Sequence, residues 1–387
     1  MEYPHILTGK ELAFISEHLN DDPQRLYLKY HGQPEKRYLI SQIAGRQKLR
    51  GKIPEWIKYE QIQFPDGLPL EQASSEATAK LKASLIQGQQ LADLTGGLGI
   101  DCYYLSFSFA ETRYVERSEE LVRFAGHNFS ILGRGIMVHQ GEAQSFLADC
   151  RADVIYLDPH RRGDDGRRQF QLEEHEPDVL KLLPQLTIDG RRSLIKTSPM
   201  LDITKAVREL KKVSEIWVIS VKNECREVLY LLSAEASNTP SIKCFNLHKG
   251  RWQTFSARHN RQAVPETGKP LQYIYEPNAS IMKAGLQDQL ALDLGLNKLH
   301  PNSQLFTADN LLEHFPGKIF KMVKIHKPWA KELKKESFNV ISRNFPEKAS
   351  TIERRLKIKP GGAHYLLATR LADDGMAFIH ARQLTPE

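Results

Sequence analysis

The chain has 387 residues, of which 41% are hydrophobic and 26% are charged, and these proportions exclude disordered and fibrous proteins. Its length allows two or three domains of ordinary size. No segment approaches the roughly 18 consecutive apolar residues of a membrane-spanning helix, and the first residues do not form a secretory signal. We therefore expect a cytoplasmic protein with no membrane partner.

The positive charge is concentrated in the C-terminal part of the chain. Residues 1–240 have a net charge of −3, whereas residues 241–387 carry 23 basic and 13 acidic residues, a net charge of +10. Between Lys318 and Lys359, 13 basic residues face four acidic ones, and apolar residues are interleaved with them. A folded segment with one basic face is typical of a protein that binds a polyanion, most simply a nucleic acid. A merely solvated helix surface is the alternative explanation.

Three regions follow one another along the chain. Residues 1–85 have a helical pattern, with Leu12, Ile15 and Leu19 spaced by three and four positions, and either Ser74 or Ser75 is a predicted N-cap. Residues 86–242 alternate short apolar strands with helices, which is typical of a parallel sheet in an α/β fold. Residues 243–387 have shorter segments with Pro and Gly between them, and we expect a separate α+β region there.

The strands of the middle region are predicted from its short apolar runs. These runs are 91–94, 113–115, 135–138, 154–157, 193–195 and 216–221. Two further segments, 242–247 and 252–256, have the pattern of a hairpin.

The four cysteines are scattered, and no two of them form a Cys-x-x-Cys pair. They are Cys102, Cys150, Cys225 and Cys244. This spacing argues against a disulfide framework and against a zinc site built on cysteine. We therefore expect free thiols and no metal.

A glycine-rich turn follows the first predicted strand of the α/β region. Gly97 and Gly99 would let the backbone approach a ligand more closely than a side chain allows. The third glycine of a dinucleotide fingerprint is replaced by Cys102, which argues against the alternative of a nicotinamide oxidoreductase. Two acids stand at strand ends: Asp93 before the turn, and Glu116, which could accept bonds from both ribose hydroxyls.

A second chemical feature is the corner at Asp158 and Pro159, which ends an apolar strand. In an open α/β sheet this strand end borders the ligand crevice. Proline has no N–H, so a carboxylate and a main-chain carbonyl can converge there as two acceptors. Two acceptors suit an exocyclic amine, whose two hydrogens they can hold.

Together these residues resemble the class I S-adenosylmethionine-dependent methyltransferases. The resemblance rests on Asp93 through Gly99, Glu116 and Glu142, in order and at the expected spacing, with Thr95 at a position where many members have glycine. It implies S-adenosylmethionine as cofactor. The implied cofactor contacts are Asp93, Thr95, Gly96, Gly97, Gly99, Asp101, Glu116 and Glu142.

The Asp158-Pro159 corner resembles the motif of amine methyltransferases that act on bases, with His160 and Arg161 in place of the second proline and the aromatic residue. It implies Asp158, Pro159 and His160 as catalytic residues. The predicted substrate contacts are Arg161, Arg162, Lys196, Ser198 and Asp202. Related forms of the motif occur in RNA methyltransferases with a cysteine nucleophile, so covalent catalysis by Cys225 stays open as an alternative.

Four segments together resemble one bacterial subgroup, the methyltransferases with a C-terminal THUMP-like region. The segments are 72–78, 93–101, 157–162 and 196–202, and the stretches 275–285 and 360–365 resemble the THUMP-like region itself. The resemblance implies a Rossmann-like, mostly parallel seven-stranded sheet after an N-terminal helical region, and a ferredoxin-like or THUMP-like α+β region at the end. It implies RNA, either tRNA or rRNA, as the substrate. Two alternatives remain: a catalytically silent RNA-binding protein, and a methyltransferase that acts on DNA or on a small molecule.

Overall fold

The computed structural model describes residues 4–161, 172–188, 190–236, 239–258 and 264–384. The chain divides into two compact units. The first unit comprises Met1–Ser214 and Leu229–Ser237, and the second comprises Glu215–Val228 and Asn238–Glu387. In the described part of the chain, no helix is both long and apolar enough to cross a membrane.

The first unit begins with six helices, as the N-terminal pattern predicts. They are α1 (Gly9–Glu17), α2 (Pro23–Lys29), α3 (Pro34–Leu49), α4 (Pro54–Ile57), α5 (Leu68–Gln72) and α6 (Glu76–Leu85). Thr8 and Glu11 form a capping box at the start of α1. Ser75 is the N-cap of α6, because its side chain accepts a bond from the main-chain amide of Thr78. Ser74, the other candidate for this cap, has a different partner, described below.

A parallel sheet follows the helices in the first unit. Its strands and helices are β1 (Gly88–Asp93), α7 (Ile100–Leu105), β2 (Phe109–Glu116), α8 (Glu119–Ile131), β3 (Met137–Gln140), α9 (Ala143–Asp149), β4 (Val154–Leu157), β5 (His160–Arg161), β6 (His175–Glu176), α10 (Val179–Leu186), β7 (Arg192–Thr197) and α11 (Ile203–Leu210). Five strands pair in parallel in the order β3, β2, β1, β4, β7. The carboxyl ends of β1, β2, β4 and β7 therefore meet at one edge, whereas β5 and β6 form a separate antiparallel pair.

Four strands follow between residues 213 and 258. They are β8 (Val213–Val221), β9 (Glu224–Ser233), β10 (Ser241–His248) and β11 (Arg251–Arg258). The second unit holds most of β8, which pairs in parallel with β10, and β10 pairs with β11 as an antiparallel hairpin. The predicted hairpin is thus confirmed, and β9 contributes its first half to the second unit and its second half to the first.

The rest of the second unit is an α+β region, as predicted. Its elements are β12 (Tyr273–Pro277), α12 (Ala279–Ala284), α13 (Gln287–Asp293), β13 (Asn297–Lys298), β14 (Phe306–Ala308), β15 (Gly317–His326), β16 (Asn339–Ser342), α14 (Ala349–Leu356), β17 (His364–Arg370) and β18 (Met376–Leu384). The seven strands form one sheet in the order β13, β14, β12, β15, β18, β17, β16. The consecutive residues Phe378 and Ile379 of β18 point to opposite faces and lie in two different apolar clusters, so both faces of this sheet carry a core.

Candidate functional site

The glycine-rich turn between β1 and α7 needs its glycines for distinct steric reasons. Gly97 and Gly99 have φ values of 52° and 79°, in the left-handed region that favours glycine. A Cβ on Gly99 would lie 2.5 Å from Cζ of Phe129, and one on Gly96 would collide with the ring of Tyr114. A Cβ on Gly97, by contrast, would meet no atom closer than the Thr95 carbonyl oxygen at 3.9 Å. The turn therefore packs tightly on the protein side and leaves space in front of Gly97.

Glu116, at the end of β2, is bonded to this turn. Its Oε2 accepts a bond of 3.0 Å from the Gly97 amide, and its Oε1 accepts one of 2.9 Å from the Ser118 amide. A carboxylate oxygen has two lone pairs, so each oxygen retains capacity for a second donor such as a ribose hydroxyl. The structure thus places Glu116 at the end of a strand, beside the turn, and its predicted contact with a ribose stays a prediction.

Asp93, at the end of β1, is buried, with 1% of its surface exposed. Burial raises the pKa of its carboxyl well above the usual value, although the bond from the Thr95 amide acts in the opposite direction. The nearby carboxylates Asp101, Asp158 and Glu116 raise this pKa further. A cationic ligand beside Asp93 would favour its ionised form.

Thr95 joins the turn to the end of β4. Its Oγ1 accepts a bond of 2.6 Å from the main-chain amide of Asp158. A glycine at position 95 could not make this contact. The residue that departs from the common motif therefore fixes Asp158 relative to the glycine-rich turn.

The carboxylate of Asp158 belongs to a chain of alternating charges. Lys196, at the end of β7, donates to Oδ2 of Asp158 at 2.6 Å and lies 3.5 Å from Oδ2 of Asp101. Asp101 in turn pairs through Oδ1 with Lys82 of α6 at 2.8 Å. Ser74 contacts both Lys196 and Asp101, since its Oγ accepts from Lys196 at 2.9 Å and donates to Asp101 at 2.7 Å. The N-terminal helical region thus contributes two side chains to this cluster.

Asp101 has four polar neighbours, because Tyr156 also donates to its Oδ2 at 2.7 Å. Burial alone would raise the pKa of Asp101, but the charges of Lys82 and Lys196 hold it below its usual range. Asp101 was predicted from the sequence as a cofactor contact, and the structure places it in this ion-pair network. The sequence reasoning missed Lys82 and Tyr156; a lysine within the apolar pattern of α6 was the available signal.

The other predicted site residues lie on neighbouring segments. Glu142 is exposed at the N-terminus of α9, without a side-chain capping bond. Ser198 accepts a bond of 3.2 Å from the Met200 amide, and Asp202 caps α11 through a bond of 2.7 Å from the Lys205 amide. These contacts are local, and the predicted binding roles of all three residues stay predictions.

The residues that follow Asp158 are described in part. Pro159 is buried, whereas His160 is exposed and its backbone pairs with Glu176 across β5 and β6. Arg161 pairs through its backbone with His175. Arg162, predicted as a substrate contact, lies outside the described residues.

Cys225, the alternative nucleophile, has a thiol whose pKa burial raises to about 11. A thiol with such a pKa is protonated near neutral pH and is a weak nucleophile. In the part of the chain that the structure describes, no three His, Cys, Asp or Glu side chains form a group that could hold a metal ion.

Two domain families match the C-terminal part of the chain. A ferredoxin-like domain matches residues 273–316, and a THUMP domain-like family matches residues 317–382. No curated protein sequence matches the chain.

One solved structure is similar to the chain over nearly its whole length. It is a crystal structure from Porphyromonas gingivalis W83, described as a candidate methyltransferase, with 28% sequence identity and a TM-score of 0.85. The match covers 98% of this chain and 100% of that chain.

Weaker similarity extends to two other methyltransferase structures. A candidate class I S-adenosylmethionine-dependent methyltransferase from Listeria monocytogenes is 12% identical, with a TM-score of 0.36 and coverage of 62% of this chain and 94% of that chain. A tRNA methyltransferase from B. subtilis is 15% identical, with a TM-score of 0.31 and coverage of 41% and 64%.

The parallel order of strands, the near full-length match and the two C-terminal domains agree with the fold and the family that the sequence predicts. The chain thus combines a Rossmann-like α/β fold, shared with the methyltransferase structure that it matches over nearly its full length, with a THUMP-like C-terminal region.

Proposed function

We propose that the chain is an S-adenosylmethionine-dependent methyltransferase that modifies a base in RNA, with an exocyclic amine as the favoured acceptor. The observation that carries this proposal is the setting of Asp158. Its main-chain amide is bonded to Thr95 of the glycine-rich turn, and its carboxylate is held by Lys196. A carboxylate fixed beside the turn can aim an acceptor group at a methyl donor bound there.

The cofactor supplies a methyl group on a sulfonium, which is already a good leaving group. We assign Asp93 and the turn from Gly96 to Gly99 to its amino-acid end, Glu116 to the ribose and Glu142 to the adenine. Asp93 suits a cationic amino group, because its carboxylate is buried with a raised pKa and a positive partner would stabilise its charge. The space in front of Gly97 would admit the cofactor without moving the turn.

Two acceptors at the corner would hold the amine of the base. Lys196 is bonded to Oδ2 of Asp158, so we assign Oδ1 and the Pro159 carbonyl to the two hydrogens of the amine. The nitrogen lone pair would then point toward the methyl group that the sulfonium supplies. The proton lost from nitrogen as the C–N bond forms and the S–C bond breaks would pass to Asp158 or to water. Positioning for this in-line transfer is the main contribution of the protein.

RNA is the proposed substrate because of the C-terminal part of the chain. Residues 317–382 match a THUMP domain-like family, and residues 241–387 carry a net charge of +10. A basic surface can bind the phosphate backbone of a nucleic acid, whereas a small neutral substrate has no charge for it to bind. A base within a duplex would have to be flipped out of the stack to reach Asp158.

Nucleoside mass spectrometry of total RNA tests this proposal most directly. We expect one methylated nucleoside to be absent from a strain that lacks the gene, and the purified chain with S-adenosylmethionine to restore it on tRNA or rRNA from that strain. Binding of both cofactor and RNA without transfer would instead support the catalytically silent alternative. Transfer only to DNA or to a small molecule would contradict RNA as the substrate.

A further inference from the structure

Three basic side chains lie directly opposite one another on the C-terminal sheet. Lys321 of β15 is the register partner of Arg382 of β18, and Arg382 is the register partner of His364 of β17. Register partners on neighbouring strands point to the same face of a sheet. All three residues are exposed. We call Lys321, Arg382 and His364 the cationic row.

The fold itself does not compensate the charges of this row. Paired side chains on antiparallel strands have Cβ atoms about 5 Å apart, and like charges at that distance are destabilising. Within the described residues, neither Lys321 nor Arg382 forms an ion pair with an acidic side chain. The like charges of Lys321 and Arg382 destabilise the fold and have no acidic partner within it. Their placement therefore indicates a binding site for an external anion.

Further basic groups continue the row on the same face. Lys324 is the register partner of His380, two residues from Arg382 along β18. The ring nitrogens His380 Nε2 and His364 Nδ1 are 2.9 Å apart. Lys324 has Glu332 at 3.7 Å, so this extension is partly neutralised, unlike the row itself.

The predicted basic segment borders this face. Phe338 packs its ring edge against His380, with ring centroids 4.9 Å apart. Lys334 and Lys335, shortly before Phe338 in the chain, are both exposed. Residues from the segment between Lys318 and Lys359 therefore meet Arg382 and His364, which lie outside it in the sequence, on one surface.

We propose that the cationic row binds consecutive phosphates of an RNA strand, an inference that rests on the proposed function. Neighbouring strands of a sheet are about 4.8 Å apart, so the row extends over about 10 Å. A nucleic-acid strand carries about one charge per 3.4 Å of helix axis, so about three phosphates lie along this length. Such contacts orient the RNA without reading its sequence.

The test uses the full chain with the lysine and the arginine of the row reversed in charge, Lys321→Glu with Arg382→Glu, and RNA from a strain that lacks the gene. We expect RNA affinity to fall at least tenfold. Because two phosphate contacts are lost, the slope of log affinity against log salt should decrease in magnitude by about 1.4 to 1.8. Affinity for S-adenosylhomocysteine should be unchanged.

A matched control carries the same change of charge in the same unit, Lys249→Glu with Lys269→Glu. Both of these lysines are exposed, and neither lies on β15, β17 or β18. We expect this control to lose less than threefold in affinity and to keep the wild-type salt slope. Circular dichroism checks the fold of both variants, and Lys321→Gln with Arg382→Gln replaces the first pair if reversal disturbs folding.

The outcomes separate this inference from the proposed function. If the row variant methylates RNA at the wild-type rate and binds RNA with unchanged affinity, the cationic row does not bind RNA. The proposed function is unaffected by that result. Absence of both RNA binding and RNA methylation in the wild type would overturn the proposed function as well. Duplex DNA that competes as strongly as RNA for the wild-type chain would overturn RNA as the ligand of the row.

Discussion

Lys82 of α6 and Asp101 of α7 form an ion pair of 2.8 Å in which the lysine side chain is fully buried. This pair connects the N-terminal helices to Lys196 and Asp158 at the strand ends. Removal of one partner of a buried pair leaves the other charge poorly compensated, which typically costs about 3 to 5 kcal/mol.

The first prediction follows from that cost. Lys82→Met should destabilise the chain by about 3 kcal/mol, at the lower end of the range because Asp101 retains Lys196 and two hydroxyl groups. Urea unfolding followed by circular dichroism measures the change. Lys80→Met is the matched control, since Lys80 lies on the same helix in half-exposed ion pairs worth less than about 1 kcal/mol. Unchanged stability of the Lys82→Met variant would contradict the prediction. The double variant Lys82→Met with Asp101→Asn should regain part of the lost stability.

Asp158→Asn should abolish methyl transfer while cofactor binding remains. Asparagine keeps the shape of the side chain but has only one acceptor oxygen and accepts no proton. We expect the rate on the identified RNA to fall by about 100-fold or more, with S-adenosylhomocysteine affinity within threefold of wild type. Rates come from transfer of a tritiated methyl group, and Asp149→Asn, an exposed position at the end of α9, is the control. A variant with near wild-type rates would exclude the amine-orienting role.

Glu116→Ala should weaken S-adenosylhomocysteine binding by about 1.5 to 3 kcal/mol, the usual contribution of hydrogen bonds to a charged group. The loss includes both the ribose contact and the anchoring of Gly97, which Glu116 holds at 3.0 Å. Calorimetry measures it, and Glu119→Ala, three residues further along and exposed, serves as the comparison. Tighter binding of NAD than of S-adenosylhomocysteine would contradict the assignment of the whole turn.

At pH values below the raised pKa of Asp93, cofactor binding should release a proton from its carboxyl. The pKa of Asp93 in the free protein is raised, chiefly by burial, so the carboxyl is protonated up to a higher pH than usual. The positive amino group of the cofactor favours the ionised form and lowers that pKa on binding. Affinity should therefore increase as pH rises toward the raised pKa and become constant above it.

Calorimetry in buffers of different ionisation enthalpy detects this proton, because the measured heat then depends on the buffer. Asp93→Asn should bind more weakly and show no dependence on buffer. A wild-type heat that is the same in every buffer would refute the linkage.

The sheet was predictable because its strands are short apolar runs that end in polar residues. Asp93, Glu116 and Asp158 each follow such a run, and parallel strands bring these ends to one edge. The partners of Asp101 were not predictable, because Lys82 and Tyr156 lie 19 and 55 residues away along the chain. The contact of Lys82 depends on how α6 packs on α7, and the contact of Tyr156 depends on where β4 lies, and no local pattern encodes either arrangement.

The same limit applies to the C-terminal surface. Sequence reasoning identified the dense basic segment between Lys318 and Lys359 but did not include His364 or Arg382. These residues join Lys321 through strand register, and register is decided by the pairing of β15, β18 and β17. Charge density in the sequence thus indicates a kind of partner, whereas the particular side chains that meet it depend on long-range pairing.

The division of the chain into units has a consequence for how the protein can be dissected. Each unit is built from two separate stretches, since Leu229–Ser237 returns to the first unit after Glu215–Val228 has entered the second. Within the second unit, β8 pairs with β10 over seven positions, from Glu215 with Ser241 to Val221 with Leu247. A fragment that starts at residue 243 would lack this strand and leave the edge of β10 unpaired. Neither unit can be excised by a single cleavage or exchanged between proteins as a simple cassette.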